Sequence, residues 1–310
     1  MEHLDFTASD GWQVALYHWP QENPVGVVQI AHGMGEHAKR YDWVAQKLNE
    51  AGYAVFANDH RGHGETAQQQ ESETLWGYMG PDGWNRTLAD LYEVNAHAKA
   101  SYPGVQLILL GHSMGAMLSA QYITRYGASI DGLILSGSPG FKSGGSTWIS
   151  RLIGQVEKRR LGASRTSPVL QNLLFGGANK PFEEGQGQAS GYEWLSRDAE
   201  QVQRYIDDEA CGFVLATGSL LDMSAGTSAG QNPEQLKKIP PELPIYVLSG
   251  VDDPVHGEQK DLHRLLMAFT QAGVRAPEVR WYPGGRHEMF NETNRDEVVS
   301  DMLNWLASHG

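Results

Sequence analysis

The residues Gly111-His112-Ser113-Met114-Gly115 carry the clearest chemical signal in this sequence. They match the pattern G-x-S-x-G, follow an apolar run directly and open a segment with helical periodicity. In a strand-turn-helix setting this pattern exposes the serine hydroxyl on a tight turn, where a side chain at either glycine position would crowd the backbone. We therefore predict that Ser113 is a nucleophile rather than a serine that only caps a helix.

A serine hydroxyl needs a general base near neutral pH, and the base needs an acid that orients it. In the chain order usual for this turn, the acid and then the histidine follow the serine. The apolar runs 245–248 and 278–282 are typical of strands, and active sites of parallel sheets lie at the carboxyl ends of strands. His287 follows the second run, so we predict it as the base; His256 is too close to the first run to act across the site.

Two adjacent carboxylates, Asp252 and Asp253, follow the run 245–248. Either side chain could orient the base, and either could also cap the turn before Pro254. From the residues alone, the choice between them stays open.

The segment from His32 to His37 follows a buried strand predicted at 25–30. Its small residues expose the backbone N–H of Met34, and the N–H of Met114 lies at a helix N-terminus. Together these two groups would form an oxyanion hole.

Histidine pairs such as His32 with His37, or His60 with His63, raise the question of a metal. The sequence lacks H-E-x-x-H, and these histidines have no cysteine or carboxylate at ligand spacing. We predict neither a metal nor a cofactor.

Short apolar runs alternate with helical patterns through most of the chain, which predicts an α/β protein with a mostly parallel sheet and helices on both faces. The alternation stops over 139–235, where no buried strand is evident and helices are predicted at 148–160 and 192–206. We therefore predict a core of 1–138 and 236–310 and a helical cap of 139–235.

A net charge of −13 offers no basic face at the global level, so nucleic-acid binding is not expected. No apolar run reaches the length of about 18 residues that a transmembrane helix needs. Cys211 is the single cysteine, which excludes an intramolecular disulfide and favours a cytoplasmic location.

The predicted cap contains a local reversal of charge over 142–165. Its basic residues, set against the single acid Glu157, are Lys142, Arg151, Lys158, Arg159, Arg160 and Arg165. One hypothesis is transient contact with a lipid interface. The alternative is a solvated basic face of a cap helix.

Five motifs, in order, resemble the α/β-hydrolase superfamily, and within it the monoacylglycerol lipase and lysophospholipase-like group, also called serine aminopeptidase S33-like. They are HGMGEHAKRY (32–41), NDHRGHGET (58–66), GHSMGA (111–116), LSGVDDPV (248–255) and GGRHEMFNE (284–292). The resemblance implies an acid of the form Gly-x-x-Asp, which selects Asp253, and it implies Met34 and Met114 as oxyanion donors. Residues expected to support the site from behind are His32, Gly33, Asp59, Arg61, His63 and His112.

The resemblance implies a serine hydrolase that cleaves carboxylic esters of small molecules, with lipids among the candidate substrates, through an acyl-enzyme. One alternative is an aminopeptidase, in which a cap carboxylate would hold the substrate's amino group; the candidates are Glu183, Glu184, Asp207, Asp208 and Glu209. The other alternative is a non-catalytic ligand-binding protein of the same fold. The oligomeric state is not predicted.

Overall fold

Eight strands form one sheet in the order β1-β2-β4-β3-β5-β6-β7-β8. The structure is a computed structural model that describes residues 1–69, 75–141, 144–183 and 189–309, with the backbone alone for 144–150 and 175. The strands are β1 Glu2–Thr7, β2 Gln13–Trp19, β3 Gly26–Ala31, β4 Tyr53–Asn58, β5 Gln106–His112, β6 Gly132–Ser136, β7 Ile245–Gly250 and β8 Glu278–Tyr282. β1 and β2 form an antiparallel hairpin at one edge, and β3 to β8 run parallel. The predicted fold class is confirmed.

Helices cover both faces of the sheet. They are α1 Asp42–Glu50, α2 Gly64–Gln68, α3 Gly83–Ser101, α4 Met114–Tyr126, α5 Gly144–Leu161, α6 Pro168–Phe175, α7 Ala199–Asp207, α8 Thr217–Gly230, α9 Pro233–Leu236, α10 Lys260–Gln271 and α11 Arg295–His309. Alternate strand residues point to opposite faces, so Leu107 packs towards α3 and α4 while Ile108 packs towards α1 and α11. The sheet is therefore buried on both sides, and its strand ends are free to carry loops.

Between β6 and β7 the described residues add helices to the fold and no strand. The helix predicted at 192–206 is wrong in its first half: a short 3-10 turn at Glu193–Leu195 is followed by an extended Ser196, and α7 starts after Asp198. Asp198 caps α7 by accepting from the N–H groups of Glu200 and Gln201, which fixes a new helix start there. The exact division into core and cap stays a prediction.

Helix α8 was not predicted, because its sequence TGSLLDMSAGTSAG is rich in glycine and serine and lacks an apolar stripe. In the structure it packs against α3, α4 and α5 at once. Gly226 allows the closest approach, since a Cβ there would lie 2.0 Å from the Trp84 ring. Among the described residues, no helix has the length and apolar character needed to cross a bilayer.

Candidate active site

Ser113 lies on the turn between β5 and α4, with its backbone in a strained conformation at φ +53°. Such strain in a residue other than glycine concentrates at functional sites. Both flanking glycines are required by packing: a Cβ on Gly115 would lie 2.0 Å from the Ala31 carbonyl, and one on Gly111 would lie 2.5 Å from the Gly115 carbonyl. The turn thus presents the Ser113 hydroxyl at the carboxyl end of β5.

The loops after β7 and β8 bring Asp253 and His287 to this hydroxyl. His287 Nε2 is 2.9 Å from Ser113 Oγ, and His287 Nδ1 is 2.9 Å from Asp253 Oδ2. The second carboxylate oxygen of Asp253 accepts from the Val255 N–H at 2.9 Å. A neutral His287 that donates from Nδ1 to Asp253 has Nε2 free to accept the serine proton, which is the arrangement predicted from the sequence.

The two buried partners shift each other's proton affinity. Burial disfavours a charged imidazole, but the Asp253 carboxylate outweighs it and raises the pKa of His287. Burial likewise acts to raise the pKa of Asp253, and the imidazole with the Val255 N–H overcomes it and holds this pKa below its ordinary value. The pair therefore favours a carboxylate beside an imidazole that is ready to take up a proton.

The rejected candidates have other contacts. His256 has both ring nitrogens engaged, one with the Gly250 carbonyl at 3.0 Å and one with the Gln259 N–H at 2.9 Å. The backbone N–H of Asp252 donates to the Gly285 carbonyl, and its side chain makes no contact with His287 among the described hydrogen bonds. His256 instead braces the loop that carries Asp253.

The N–H groups of Met34 and Met114 lie at the ends of β3 and β5, beside Ser113. Neither donates to another protein group within the described part of the chain. The Gly33–Met34 peptide is held by His32, whose Nδ1 donates to the Gly33 carbonyl at 2.7 Å while its Nε2 accepts from the His60 N–H at 2.9 Å. Because the N–H of a trans peptide points away from its carbonyl, His32 fixes the direction of the Met34 N–H.

A buried ionic network, which the sequence did not reveal, joins the Met34 loop to the His287 loop. Arg40 donates to both oxygens of Glu288 at 2.8 and 2.7 Å and to Glu36 at 2.6 Å. Glu36 also accepts from the Gly33 N–H at 2.5 Å and from the Tyr41 hydroxyl at 2.8 Å. The network connects residues 32–40, the predicted oxyanion loop that carries Met34, to Glu288, the residue that follows the predicted base.

Most of the residues expected to support the site contact its loops or rings, whereas Arg61 does not. Asp59 accepts from the Ala38 N–H at 2.8 Å and so supports the oxyanion loop, and the His112 ring lies 4.9 Å from the His287 ring. The His63 ring lies 5.2 Å from that of His32. Arg61 contacts other regions: its guanidinium pairs with Asp10 in the first hairpin and with Asp90 on α3.

Two cavities meet at Ser113. The polar cavity, of about 440 Å³, has the more polar lining of the two: apolar side chains such as Phe213 and Val214 stand there beside Glu36, Glu288, Gln171, Asn172, Ser190 and Tyr205. The other, of about 480 Å³, is mostly apolar; its lining includes Met117, Leu170, Leu173, Leu174, Leu220 and Leu221. Met34, Trp194 and His287 border both cavities.

Trp194 is a second residue that the sequence did not single out. Its ring stands 4.9 Å from the His287 ring, and its carbonyl accepts from the His287 N–H at 3.3 Å. The next carbonyl, of Leu195, accepts from the Glu288 N–H at 2.8 Å. The segment between β6 and β7 therefore holds the His287 loop directly and separates the two cavities.

A parallel sheet with a serine on the turn after β5, and an acid and a histidine after later strands, is the architecture of an α/β-hydrolase. A match to the family described as Serine aminopeptidase, S33 covers residues 22–294. The chain belongs to this family.

The chain is similar to several named proteins over nearly its full length. It is 31% identical over 314 residues to the monoacylglycerol lipase of Mycolicibacterium smegmatis, covering 99% of this chain and 97% of that protein. It is 32% identical over 309 residues to the monoglyceride lipase of Mus musculus, covering 96% and 88%. A solved thermostable carboxyl esterase from Bacillus coagulans, in complex with glycerol, superposes with a TM-score of 0.88 at 28% identity and covers 99% of this chain and 98% of that one.

Proposed function

We propose that this protein hydrolyses carboxylic esters with Ser113 as the nucleophile, and that its substrates join an apolar acyl chain to a small polar alcohol. Ester hydrolysis is the activity that its lipase and esterase relatives support. The observation that carries the finer proposal is the position of Ser113 where a polar and an apolar cavity meet. When the carbonyl of an ester lies at Ser113, the apolar cavity can hold its acyl chain and the polar cavity can hold its alcohol.

In the proposed reaction, Ser113 Oγ attacks the acyl carbonyl and passes its proton to His287 Nε2. The N–H groups of Met34 and Met114 hold the oxyanion. As the tetrahedral intermediate collapses, the bond to the alcohol oxygen breaks, and His287 returns the proton to that oxygen. Water then attacks the acyl-enzyme with His287 again as base, which releases the acid and restores Ser113.

The arrangement of carboxylates argues against the aminopeptidase alternative. An amine-binding site needs a carboxylate whose oxygens are free to face the bound substrate. Among the described residues, the acids that line the two cavities are Glu36 and Glu288; both are buried, and all four of their oxygens accept hydrogen bonds from protein donors. Asp207, Asp208, Glu183 and Glu209 line neither cavity, and Glu184 lies outside the described residues.

A substrate panel tests the proposal. It compares p-nitrophenyl esters of short and long acids, a monoacylglycerol, a lysophospholipid and an aminoacyl anilide. We expect the monoacylglycerol or a longer p-nitrophenyl ester to show the highest kcat/KM, and Ser113→Ala to lower kcat by on the order of 10⁶.

Ser119→Ala is the matched control, because Ser119 lies on α4, the helix that begins directly after Ser113, is fully buried and has no hydrogen-bond partner for its hydroxyl within the described chain. Its activity should equal that of the wild type. A Ser113→Ala variant that keeps a tenth of the activity, or a preference for the anilide, contradicts the proposal.

We also propose that the cap touches a lipid surface beside the apolar cavity. Two helices that pack together, α5 and α6, leave large apolar side chains roughly half exposed: Leu152, Val156, Val169, Leu173 and Leu174. Arg159 and Arg160 are exposed on the same α5, and Leu173 and Leu174 also line the cavity. Lys142 lies outside the described residues.

Liposome flotation with anionic vesicles tests the contact. The triple variant Leu152→Ser, Val156→Ser, Leu173→Ser should bind less, and Lys158→Glu, Arg159→Glu, Arg160→Glu should lose the dependence on anionic lipid. Met267→Ser removes an equally exposed apolar side chain from α10 and should bind as the wild type does. Unchanged binding in both triple variants leaves α5 as a helix with a solvated basic face.

A further inference from the structure

His37, Asp208 and Cys211 come together where the oxyanion loop meets the segment after α7. One ligating atom from each, the ring nitrogen, a carboxylate oxygen and the sulfur, lies within 4.8 Å of the other two. His37 Nε2 and Asp208 Oδ2 are 2.8 Å apart. No local sequence pattern connects His37 with the other two, which lie more than 170 positions away along the chain.

The backbone around the cluster is held in place without an ion. The Gly212 N–H donates to the Gly35 carbonyl at 2.9 Å, and the Ala210 N–H donates to Asp208 Oδ1 at 2.8 Å. Gly35 must be glycine here, because it has φ +65° and a Cβ would lie 2.4 Å from the Phe213 carbonyl. Such a preorganised frame lowers the cost of gathering ligands from two segments.

The charges near the cluster favour a cation. Glu36, Glu288 and Asp208 contribute three negative charges against the one positive charge of Arg40, and all four act on the Cys211 thiol. An ordinary cysteine thiol, with a pKa of about 8.5, carries its proton at neutral pH. The thiol donates no hydrogen bond within the described chain, and Cys211 is partly exposed, so an ion can reach it.

We propose that His37, Asp208 and Cys211 form a binding site for a thiophilic divalent cation, with Zn²⁺ the best match. Nitrogen, oxygen and sulfur donors suit Zn²⁺, which is usually tetrahedral, so a water molecule completes the set. Binding displaces the thiol proton, and the thiolate sulfur then bonds to the metal. The bound ion would link the oxyanion loop to the segment after α7. Because His37 directly follows Glu36, the site adjoins the buried ionic network.

Three measurements test the site directly. Titration calorimetry with Zn²⁺ should give one site, with a proton released on binding that is revealed by buffers of different ionisation enthalpy. Co²⁺ bound by the Cys211 thiolate should give a thiolate-to-metal charge-transfer band. Since Cys211 is the chain's single cysteine, such a band reports on this residue alone. Zn²⁺ should also raise Tm, since it binds the folded state alone.

The variants Cys211→Ser, His37→Ala and Asp208→Asn should each weaken Zn²⁺ binding by more than about 100-fold, since even partners outside the coordination sphere are worth about 10- to 100-fold. His309→Ala is the matched control, because His309 Nε2 lies 3.2 Å from Glu278 in a histidine–carboxylate pair that lacks a thiol. Its Zn²⁺ affinity should not change.

Two outcomes overturn the proposal. One is the absence of a Co²⁺ charge-transfer band and of Zn²⁺ binding in the wild-type protein. The other is Zn²⁺ binding that survives Cys211→Ser, which assigns the ion to other residues. None of these readouts depends on ester hydrolysis, so the failure of one proposal is distinguishable from the failure of the other.

Discussion

The two cavities at Ser113 differ in the side chains that line them. The polar one is bounded by Glu36 and Glu288, whose charges are paired and whose side chains are almost fully buried. The apolar one is bounded by α4 and by helices between β6 and β7, including Leu173 and Leu174, which remain about half exposed. Charged pairs hold one geometry, whereas aliphatic walls of exposed helices adapt to their contents.

This difference suggests how selectivity is divided. The polar cavity should discriminate among alcohols mainly by size, because Glu36 and Glu288 already accept from protein donors and hold this part of its wall in one geometry. The apolar cavity should discriminate gradually among acyl chains, because each methylene contributes a similar small free energy. The predictions below separate effects common to both cavities from effects on one.

Among variants that keep Ser113, the largest effect should come from Asp253→Asn, which acts where the cavities meet. The amide would favour the wrong tautomer of His287, and we expect kcat to fall by on the order of 10⁴. Because both ends of the substrate are untouched, the loss should be the same for every ester in the panel. Asp252→Asn is the matched control and should retain its activity; a loss in Asp252→Asn that equals the loss in Asp253→Asn would contradict the assignment.

Narrowing each cavity separately tests whether the two cavities bind different ends of the substrate. Met117→Trp narrows the apolar cavity, and Gln171→Trp narrows the polar one. We expect Met117→Trp to lower kcat/KM by about 10- to 200-fold for long acyl chains and to spare acetate esters. Gln171→Trp should discriminate by alcohol size instead. Steady-state kinetics on a matrix of acids and alcohols measures both, and identical patterns in the two variants would show that the cavities do not separate the substrate's ends.

The smallest effect should be a shift in pH dependence. The pKa of His287 is raised against the effect of burial, mainly by Asp253 and further by Glu288 and Glu36. Activity needs neutral His287, so kcat/KM should fall as the pH drops through this raised pKa. Glu36→Gln keeps an acceptor for the Gly33 N–H but removes a negative charge that raises the pKa of His287, so the acid limb should move to lower pH.

The control for this shift is Glu234→Gln, which removes an exposed carboxylate paired with Lys237. Its acid limb should coincide with that of the wild type. An acid limb that stays in place in Glu36→Gln, or moves to higher pH, would show that the buried network does not act on His287.

Chain order and strand ends were enough to predict that Ser113, an aspartate after β7 and His287 come together, because parallel strands place their following loops at one edge. They did not decide between Asp252 and Asp253; the resemblance to the family selected Asp253, which contacts His287 in the structure. Arg61 was expected near the site and contacts the first hairpin and α3. The partners of Arg61 come from distant parts of the chain, and a local sequence pattern does not predict such contacts.

The same limit explains what was missed. Glu36, Arg40 and Glu288 look like ordinary surface charges in the sequence, and their burial depends on the packing of the oxyanion loop against the His287 loop. Helix α8 was missed because its glycines are typical of loops, whereas here they allow close packing, as Gly226 does against Trp84. The lipid contact and the cytoplasmic location stay predictions.

Covalent labelling of the nucleophile tests the central claim most directly, because a serine activated for acyl transfer displaces fluoride from a fluorophosphonate and forms a bond to phosphorus. The protein is reacted with a long-chain alkyl fluorophosphonate, digested and analysed by mass spectrometry, in parallel with Ser113→Ala and Ser119→Ala. The account predicts one adduct per chain, on the Ser113 hydroxyl, which is absent in Ser113→Ala, present in Ser119→Ala and slowed by Met117→Trp. An adduct on another residue, or a wild-type protein that takes up none while remaining folded, would contradict it.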